Sequence, residues 1–488
     1  MSILPLRPVE PGILVWVSFF AVFLFASRGA CQQAPASPDH PWHSYEAQEF
    51  AGEVRMLRNS ASPIDTTNLY SLPELIDLAE MQNPETRESW ERARAQADSL
   101  GIARSDLYPA LAATALTEID REIVFSGTSF YHPTMAEVDG ALDLSYTVLD
   151  FGARSGRIGA AKAEVLAANF AFNDTHRQVI YQVEQAYYSV LNAVGQIAAS
   201  EVSLTNALAV LQAAEDRLEQ GLATSPDVLE ARSVVAQATY ELQTVQGSKE
   251  IALGALARAL GISPTSLIQV QPLDQLAIPD SFPKTIEQSL DRAFEQRPDL
   301  MQQLAELRSA NARVKEAHAA YYPTLSLNAS AGPTSLYASQ ESLPREHTAD
   351  WEGGVGLTLS WSLFDGDARK HKLAQAKADV LASEASVNAA RDRVADEVWT
   401  AYSKLQTAFR ERQSALDLLA AASQSYDAAL ESYDHGVRSL LDVTAAQQVL
   451  ARARSTDVLA RTDVLSALAE LAFQTGNSIQ PNARRAGS

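Results

Sequence analysis

Two stretches of the chain alternate between large apolar residues and small or polar ones, and each leads straight into a long helical segment. One runs from Leu142 to Val148 and the other from Val355 to Leu363. A period of two is typical of a strand with one apolar face and one wet face. The alternation stops both times at a turn containing glycine, Gly152 or Gly366. We therefore predict, twice over, a strand, a turn and a very long helix.

The two stretches belong to an internal repeat. Landmarks recur at a near-constant offset of 214 or 215 residues: Tyr108-Pro109 with Tyr322-Pro323, Gly152 with Gly366, Gly221 with Gly436, and Asp227 with Asp442. A constant offset over so many positions indicates a duplicated structural unit. We predict copies at residues 72–261 and 286–476, joined by a Pro-containing linker at 262–285 and followed by a tail at 477–488.

Each copy is predicted to contain the same elements in the same order. These are a short helix (Pro73–Glu80; Thr285–Glu295), a helix of about 22 residues (Pro84–Ser105; Pro298–Ala319), a strand after the Tyr-Pro pair, a polar loop (Phe125–Glu137; Pro333–Asp350), the alternating strand, a helix of about 67 residues and a helix of about 38 residues. A 67-residue helix spans about 100 Å and needs a lateral partner along its whole length. Because 22 and 38 residues sum to about 60, the two shorter helices stacked end to end would match it. The sequence thus predicts a wall of long antiparallel helices.

The strands need partners beyond one chain. Four strands have exposed edges, which a membrane does not tolerate, and a barrel closes with about eight strands or more. Three chains would supply twelve. We predict a mainly α-helical fold with a small β-barrel contribution: a long antiparallel helical barrel plus four membrane strands per chain, closed as a trimer. The predicted lipid-facing residues are Leu142, Leu144, Tyr146, Val148, Leu357, Leu359 and Trp361. The alternative is a soluble sandwich packed on the helices.

Composition excludes several classes of function. The formal charge of −21 and the pI of about 4.8 argue against nucleic-acid binding, which needs basic patches. The chain has one cysteine, Cys31, and its scattered histidines form no metal-binding motif, so we expect neither a metal nor a cofactor. Paired carboxylates such as Asp396-Glu397 are interpreted as a solvated helix face, and no enzyme activity is predicted. The acidic charge favours a lumen that prefers cations.

The first 31 residues are interpreted as a targeting segment. An apolar run of fifteen residues, Gly12 to Ala26, is too short to span a bilayer and fits the core of a signal peptide. Gly29-Ala30-Cys31 matches the end of a bacterial lipoprotein signal, although Arg28 departs from the pattern. We expect lipidation at Cys31, with ordinary signal cleavage nearby as the alternative. Residues 32–71 would form an N-terminal lead-in to an exported protein.

Four motifs carry a family resemblance. They are SLFDGDAR (Ser362–Arg369), SYDHGVRSLLDVTAAQQ (Ser432–Gln448), RLEQGLATSPDVLEAR (Arg217–Arg232) and LAFQTGN (Leu471–Asn477). Over about residues 70–476 the chain resembles the TolC-like outer-membrane efflux protein family, with Ser362 where that family usually has proline. The resemblance implies a homotrimer in the outer membrane of a Gram-negative bacterium, in contact with its lipid. A 12-stranded barrel would stand on a periplasmic helical tunnel, with the linker as a belt.

The function that the resemblance implies is the exit channel of a tripartite pump, conducting substrates passively. Its expected partners are a periplasmic adaptor and an inner-membrane transporter of the RND or ABC type. The alternative is a helical periplasmic scaffold without channel activity. The transported substrate stays open among a drug, a metal ion and a secreted polypeptide.

The resemblance also implies site residues at the two helix reversals. The tips that contact the adaptor would be Gly221, Leu222, Gly436 and Val437, and the gate would be Tyr433, Arg438 and Asp442. Arg438 and Asp442 lie four residues apart, which places them on one helix face. We expect that pair, or hydrogen bonds from Arg438 and Tyr433 to the neighbouring hairpin, to hold the tip closed. The alternative is an exposed ion pair that contributes little.

Overall fold

The computed structural model describes residues 50, 53, 68–266, 268–271, 285–339 and 346–476. The chain divides into two units, Met1–Pro63 and Ile64–Ser488. In the first unit only Phe50 and Glu53 are described, and both are exposed helical residues. The predicted signal segment, the lipidation at Cys31, most of the lead-in and linker, and almost all of the tail lie outside the described residues. Everything below concerns the second unit.

The described chain is mainly helical, and its element order repeats. The first half contains β1 (Leu69–Tyr70), α1 (Leu72–Gln82), α2 (Pro84–Ser105), β2 (Ala110–Arg121), β3 (Val124–Ser126), β4 (Ser129–Tyr131), β5 (Thr134–Leu149), α3 (Ala153–Glu219) and α4 (Ser225–Leu260). The second contains β6 (Gln269–Val270), α5 (Ile286–Gln296), α6 (Pro298–Ala319), β7 (Thr324–Ser339), β8 (Glu346–Ser360), α7 (Ala368–Asp434) and α8 (Leu440–Gln474). Helices α3 and α7 have 67 residues each, as predicted.

The shorter helices meet end to end, as their lengths predicted. Helix α4 ends at Gly261, whose φ of +73° is a conformation that favours glycine. A Cβ on Gly261 would lie 2.8 Å from the Cα of Asn83, the residue that caps α2. The Asn83 amide also donates to the carbonyl of Ala259 at 2.8 Å. Helix α2 therefore begins where α4 stops, and the pair runs alongside α3.

The second copy forms the same junction between helix ends, but with an arginine where the first copy has an asparagine. Gly476, after α8, lies against Arg297, the residue that precedes α6. Arg297 is 3% exposed and donates to Asp299 at 2.7 Å and to Gln474 at 2.9 Å. It also forms an ion pair with Glu397 of α7 at 2.7 Å. A buried arginine needs such partners, because an unpaired buried charge is costly.

The largest apolar core lies around the middle of α3. Its side chains come from α1, α3, α4 and α8, with Leu75, Val183, Tyr187, Leu191, Leu256 and Leu260 fully buried. Glu184 lies on the same helix and is 3% exposed, and its Oε1 atom has no hydrogen-bond partner in the described chain. Burial raises the pKa of Glu184 to about 7.

Four strands form one antiparallel sheet in the order β2-β5-β7-β8. The predicted polar loops are wrong. Phe125–Glu137 contains the β3–β4 hairpin and the start of β5, and most of Pro333–Asp350 belongs to β7 and β8. These segments carry Ser, Thr and other polar residues at many positions, so the sequence shows no apolar alternation there although the backbone pairs. Trp361 was predicted as a strand residue, but it follows the last residue of β8, Ser360.

The register places the alternating residues on two distinct faces. Leu144 lies opposite Leu111 and Ala329, and Leu327 lies opposite Tyr146 and Leu357. These residues share one apolar face. On the other face Thr114 donates to Asp143 at 2.7 Å and Asn328 donates to Thr358 at 3.2 Å. The predicted separation of apolar and polar faces is therefore present in the sheet.

One helix in the described part of the chain, α3, includes an apolar stretch long enough to cross a membrane by length and composition. Only 17% of that stretch is buried. Helix α3 packs along α2, α4, α6 and α8, so we assign it to the helical wall. Gly156 allows a close backbone contact with α6, since a Cβ there would lie 2.6 Å from the backbone nitrogen of Glu316.

We predict that Gly156→Ala destabilises the protein, because the added methyl group overlaps the α6 backbone and overpacking costs about 1–3 kcal/mol. Thermal unfolding followed by circular dichroism would measure it. Gly101→Ala in α2 is the matched control, since no atom lies within 4 Å of that Cβ position. Equal melting temperatures for the two variants would contradict the packing of α3 on α6.

Candidate functional site at the hairpin tips

Both long helices reverse through the same turn. Gly221 and Gly436 each have a φ of +73°. The Leu222 amide donates to the carbonyl of Arg217 at 2.8 Å, and the Val437 amide donates to that of Ser432 at 2.8 Å. A glycine in the left-handed conformation, followed by a residue whose amide donates to the carbonyl five residues earlier, forms a Schellman motif. This motif ends a helix and satisfies its last carbonyls. Leu222 and Val437 are 66% and 79% exposed, so each tip presents an apolar side chain to its surroundings.

The returning helices begin with matching caps. Asp442 accepts hydrogen bonds from the amide and the hydroxyl of Ser439 at 3.1 and 2.8 Å. Asp227 does the same with Thr224, at 2.7 Å each. These bonds lower the pKa of both carboxyls, and for Asp442 the charge of Arg438 adds a smaller effect. Asp442 is therefore a helix cap that stays ionised.

The helices form two hairpins, α3–α4 and α7–α8, and Tyr433 lies inside the apolar core that joins them. It is 5% exposed and packs with residues of both: Val210, Ala214, Val228 and Ala231 from the first, and Ala429, Leu440 and Val443 from the second. Its hydroxyl has no hydrogen-bond partner in the described chain. Burial raises the pKa of Tyr433, the charges of Asp227 and Asp434 raise it further, and Arg217 lowers it.

Arg217, a residue of the first hairpin, contacts the second hairpin at Tyr433. The guanidinium carbon of Arg217 lies 4.5 Å from the centroid of the Tyr433 ring, within the range of a cation–π contact. One nitrogen of the same group donates to the carbonyls of Tyr433 and Asp434, the latter at 3.4 Å. These carbonyls belong to the last turn of α7, where positive charge is favoured. Arg217 thus ties the end of α3 to the end of α7.

The expected link through Arg438 does not form. Arg438 is exposed and makes no ion pair or side-chain hydrogen bond among the described residues, so its expected pair with Asp442 is absent. The neighbouring hairpin supplies Arg217 instead, which the sequence analysis did not single out. Its position in the second copy is Ser432, and Tyr433 corresponds to Leu218, so the contact departs from the internal repeat. That asymmetry is the one signal in the sequence that could have revealed it.

Comparison with known proteins identifies the family. The model of the family described as "Outer membrane efflux protein" matches residues 75–262 and again residues 289–477. The chain belongs to this family. The outer membrane efflux proteins are channel proteins of efflux and secretion systems, located in the outer membrane of Gram-negative bacteria with a large periplasmic part.

Individual relatives agree with the family. The chain is 29% identical to Protein CyaE of Bordetella pertussis over 417 residues, which cover 83% of this chain and 85% of that protein. It is 28% identical to outer membrane protein OprJ of Pseudomonas aeruginosa over 421 residues, 83% of each chain. The outer-membrane channel CmeC of Campylobacter jejuni has a similar fold, with a TM-score of 0.71 at 18% identity, covering 91% of this chain and 94% of that one.

We predict that Arg217→Ser loosens the tip of this efflux protein and raises its resting conductance in planar bilayers about threefold, since a cation–π contact contributes about 0.5–1 kcal/mol. Arg232→Ser is the matched control: it removes an arginine of the same hairpin that pairs with Glu215 at 2.8 Å and is 61% exposed. If both variants conduct like the unmodified protein, Arg217 does not restrain the tip.

Proposed function

We propose that three copies of the chain form an outer-membrane exit channel, a twelve-stranded barrel above a helical tunnel. The observation that carries the proposal is the four-stranded sheet. The sheet has an apolar face and a polar face. Its edge strands, β2 and β8, each pair with a strand of the described chain on one side only, so their outer edges are unpaired. Eight strands or more are needed to enclose a lumen, and three sheets joined edge to edge give twelve.

The apolar face has the height of an outer-membrane barrel. Trp351 lies on that face in β8, and Trp361 follows the strand ten residues later. Ten residues span about 33 Å along a strand, or about 25 Å along the axis of a barrel with strands tilted by about 40°. Both side chains are exposed, at 77% and 57%. This spacing supports a lipid-facing band between two aromatic girdles.

The polar face would line the lumen and carries only negative charge. By register it holds no Lys, Arg or His among the described residues, and its carboxylates are Glu118, Asp120, Glu137, Asp139, Asp143, Glu346, Asp350 and Glu352. Carboxylate rings in a narrow pore raise the local concentration of cations and repel anions. We propose that the channel prefers cations.

The tips would dock a periplasmic adaptor, which couples the channel to an inner-membrane transporter of the RND or ABC type. Exposed Leu222 and Val437 support this role, because apolar side chains held out on rigid turns suit a protein contact. The tip contact between Arg217 and Tyr433 would serve as the resting restraint, beside the expected gate residues Arg438 and Asp442. Conduction would be passive, with the driving energy supplied by the transporter.

Planar-bilayer recording tests the proposal. Purified wild-type protein should form ion-conducting pores that pass K⁺ better than Cl⁻. The triple variant Glu137→Gln, Asp139→Asn and Glu352→Gln should lower the K⁺/Cl⁻ permeability ratio about twofold or more, since it removes three lumenal charges per chain. A protein that inserts into the outer membrane without conducting would favour the scaffold alternative.

A matched control separates lumenal charge from total charge. Asp77→Asn, Glu287→Gln and Asp291→Asn together remove the same number of charges from exposed positions on the short helices α1 and α5. This variant should keep the wild-type selectivity. An equal loss of selectivity in both triple variants would contradict the assignment of the polar face to the lumen.

A further inference from the structure

A groove of about 590 Å³ lies between α6 and α7, at the level where the helices meet the sheet. Its apolar and phenolic lining residues are Phe151, from the turn between β5 and α3, Tyr322, just before β7, Val314 of α6 and Leu373 of α7. The rings of Phe151 and Tyr322 stack, with centroids 5.2 Å apart. Both side chains are exposed, so the groove has an open aromatic rim.

The ionisable side chains that line this groove are all of basic residue types: Lys315 and His318 on α6, and Lys377 on α7. Neither lysine has a carboxylate oxygen within 4.0 Å in the described chain. The neighbouring arginines are neutralised, Arg154 by Asp150 at 3.0 Å and Arg369 by Asp365 at 2.9 Å. In a chain of net charge −21, two unpaired lysines on one groove leave a local positive site.

The opposite side of the same two helices has the opposite charge. A second groove between α6 and α7 is lined by Glu164, Glu306 and Asp379, with Arg313 held by Glu164. We assign the basic groove to the outer surface of the wall, because its lining residue Tyr322 follows Tyr321, whose carbonyl accepts a hydrogen bond from Trp361 at the end of the apolar face.

With the strands in their proposed membrane position, the groove also lies at the depth of lipid headgroups. The indole nitrogen of Trp361, at the end of the apolar face, donates to the carbonyl of Tyr321 at 3.2 Å, next to Tyr322. Lys315 lies four residues before Ala319, the last residue of α6, which places its Cα about 6 Å below that helix end. Its side chain rises towards the sheet, since a Cβ on Gly152 would lie 3.4 Å from its Cε. Lysines below an aromatic girdle extend their amines to the interface in this way.

We propose that this groove binds the phosphate of an anionic phospholipid from the periplasmic leaflet of the outer membrane. Lys315 and Lys377 pair with the phosphate oxygens, and Phe151, Tyr322 and Leu373 cover the glycerol and the first acyl carbons. Because α6 and α7 are neighbours within one chain, each protomer carries a complete site. The inference rests on the proposed position of the strands in the membrane.

Lipid retention on the purified protein tests the site. Protein extracted from vesicles of phosphatidylglycerol and phosphatidylcholine is analysed by native mass spectrometry. Wild type should retain phosphatidylglycerol in preference. Lys315→Ser with Lys377→Ser should lower that retention about 25-fold, since each lysine near an anionic surface contributes about fivefold. The control, Arg391→Ser with Lys404→Ser, removes two charges that pair with Asp392 and Glu470 and should retain lipid like wild type.

Two outcomes overturn the inference. One is equal phosphatidylglycerol retention by wild type and the lysine variant. The other is complete displacement of the lipid by inorganic phosphate, which would make the groove a site for the free anion. Failure of the proposed function looks different: the wild-type protein would not insert into vesicles at all, whatever their lipid.

Discussion

The backbone hydrogen bonds at the two edges of the sheet constrain the whole molecule. Strands β2 and β8 each pair on one side only, and each presents an unpaired row of amides and carbonyls on the other. In hydrocarbon every unpaired group costs several kcal/mol, so a sheet with open edges cannot remain in a membrane. In the proposed membrane position, a sheet with one apolar face closes on further copies of itself.

The helices are subject to the same constraint, because the order of the helices across the wall follows the order of the strands in the sheet. Near the sheet the wall runs α2, α3, α6, α7, and nearer the tips it runs α4, α3, α8, α7. In both layers α7 lies at one side, below β8, and the stacked pair α2 and α4 lies at the other, below β2. Joining β8 of one copy to β2 of the next would also bring α7 against the neighbouring α2 and α4. Closure of the barrel and closure of the tunnel are then one event.

Periodicity explains what was predictable from the sequence. The bounds of α2 and α6 and the 67-residue lengths of α3 and α7 follow from helical composition ended by Gly, Pro or a capping residue. The polar halves of the strands were missed because pairing there depends on neighbours in space. Arg217 was missed for the same reason: its partner Tyr433 lies 216 residues away, and only the folded chain brings them together.

Disulfide cross-linking between edge strands tests the closure most directly. Cysteines replace Ala113 on β2 and, in separate variants, Val355 or Leu357 on β8. Cysteines at Leu144 and Ala329, which lie opposite each other on β5 and β7, give the control for a link within one chain. Oxidation of membranes that carry an edge pair should yield covalent species of up to three chains, while the control protein should remain a single chain. Edge pairs that never link separate chains, in a protein that still reaches the outer membrane, would contradict the closure.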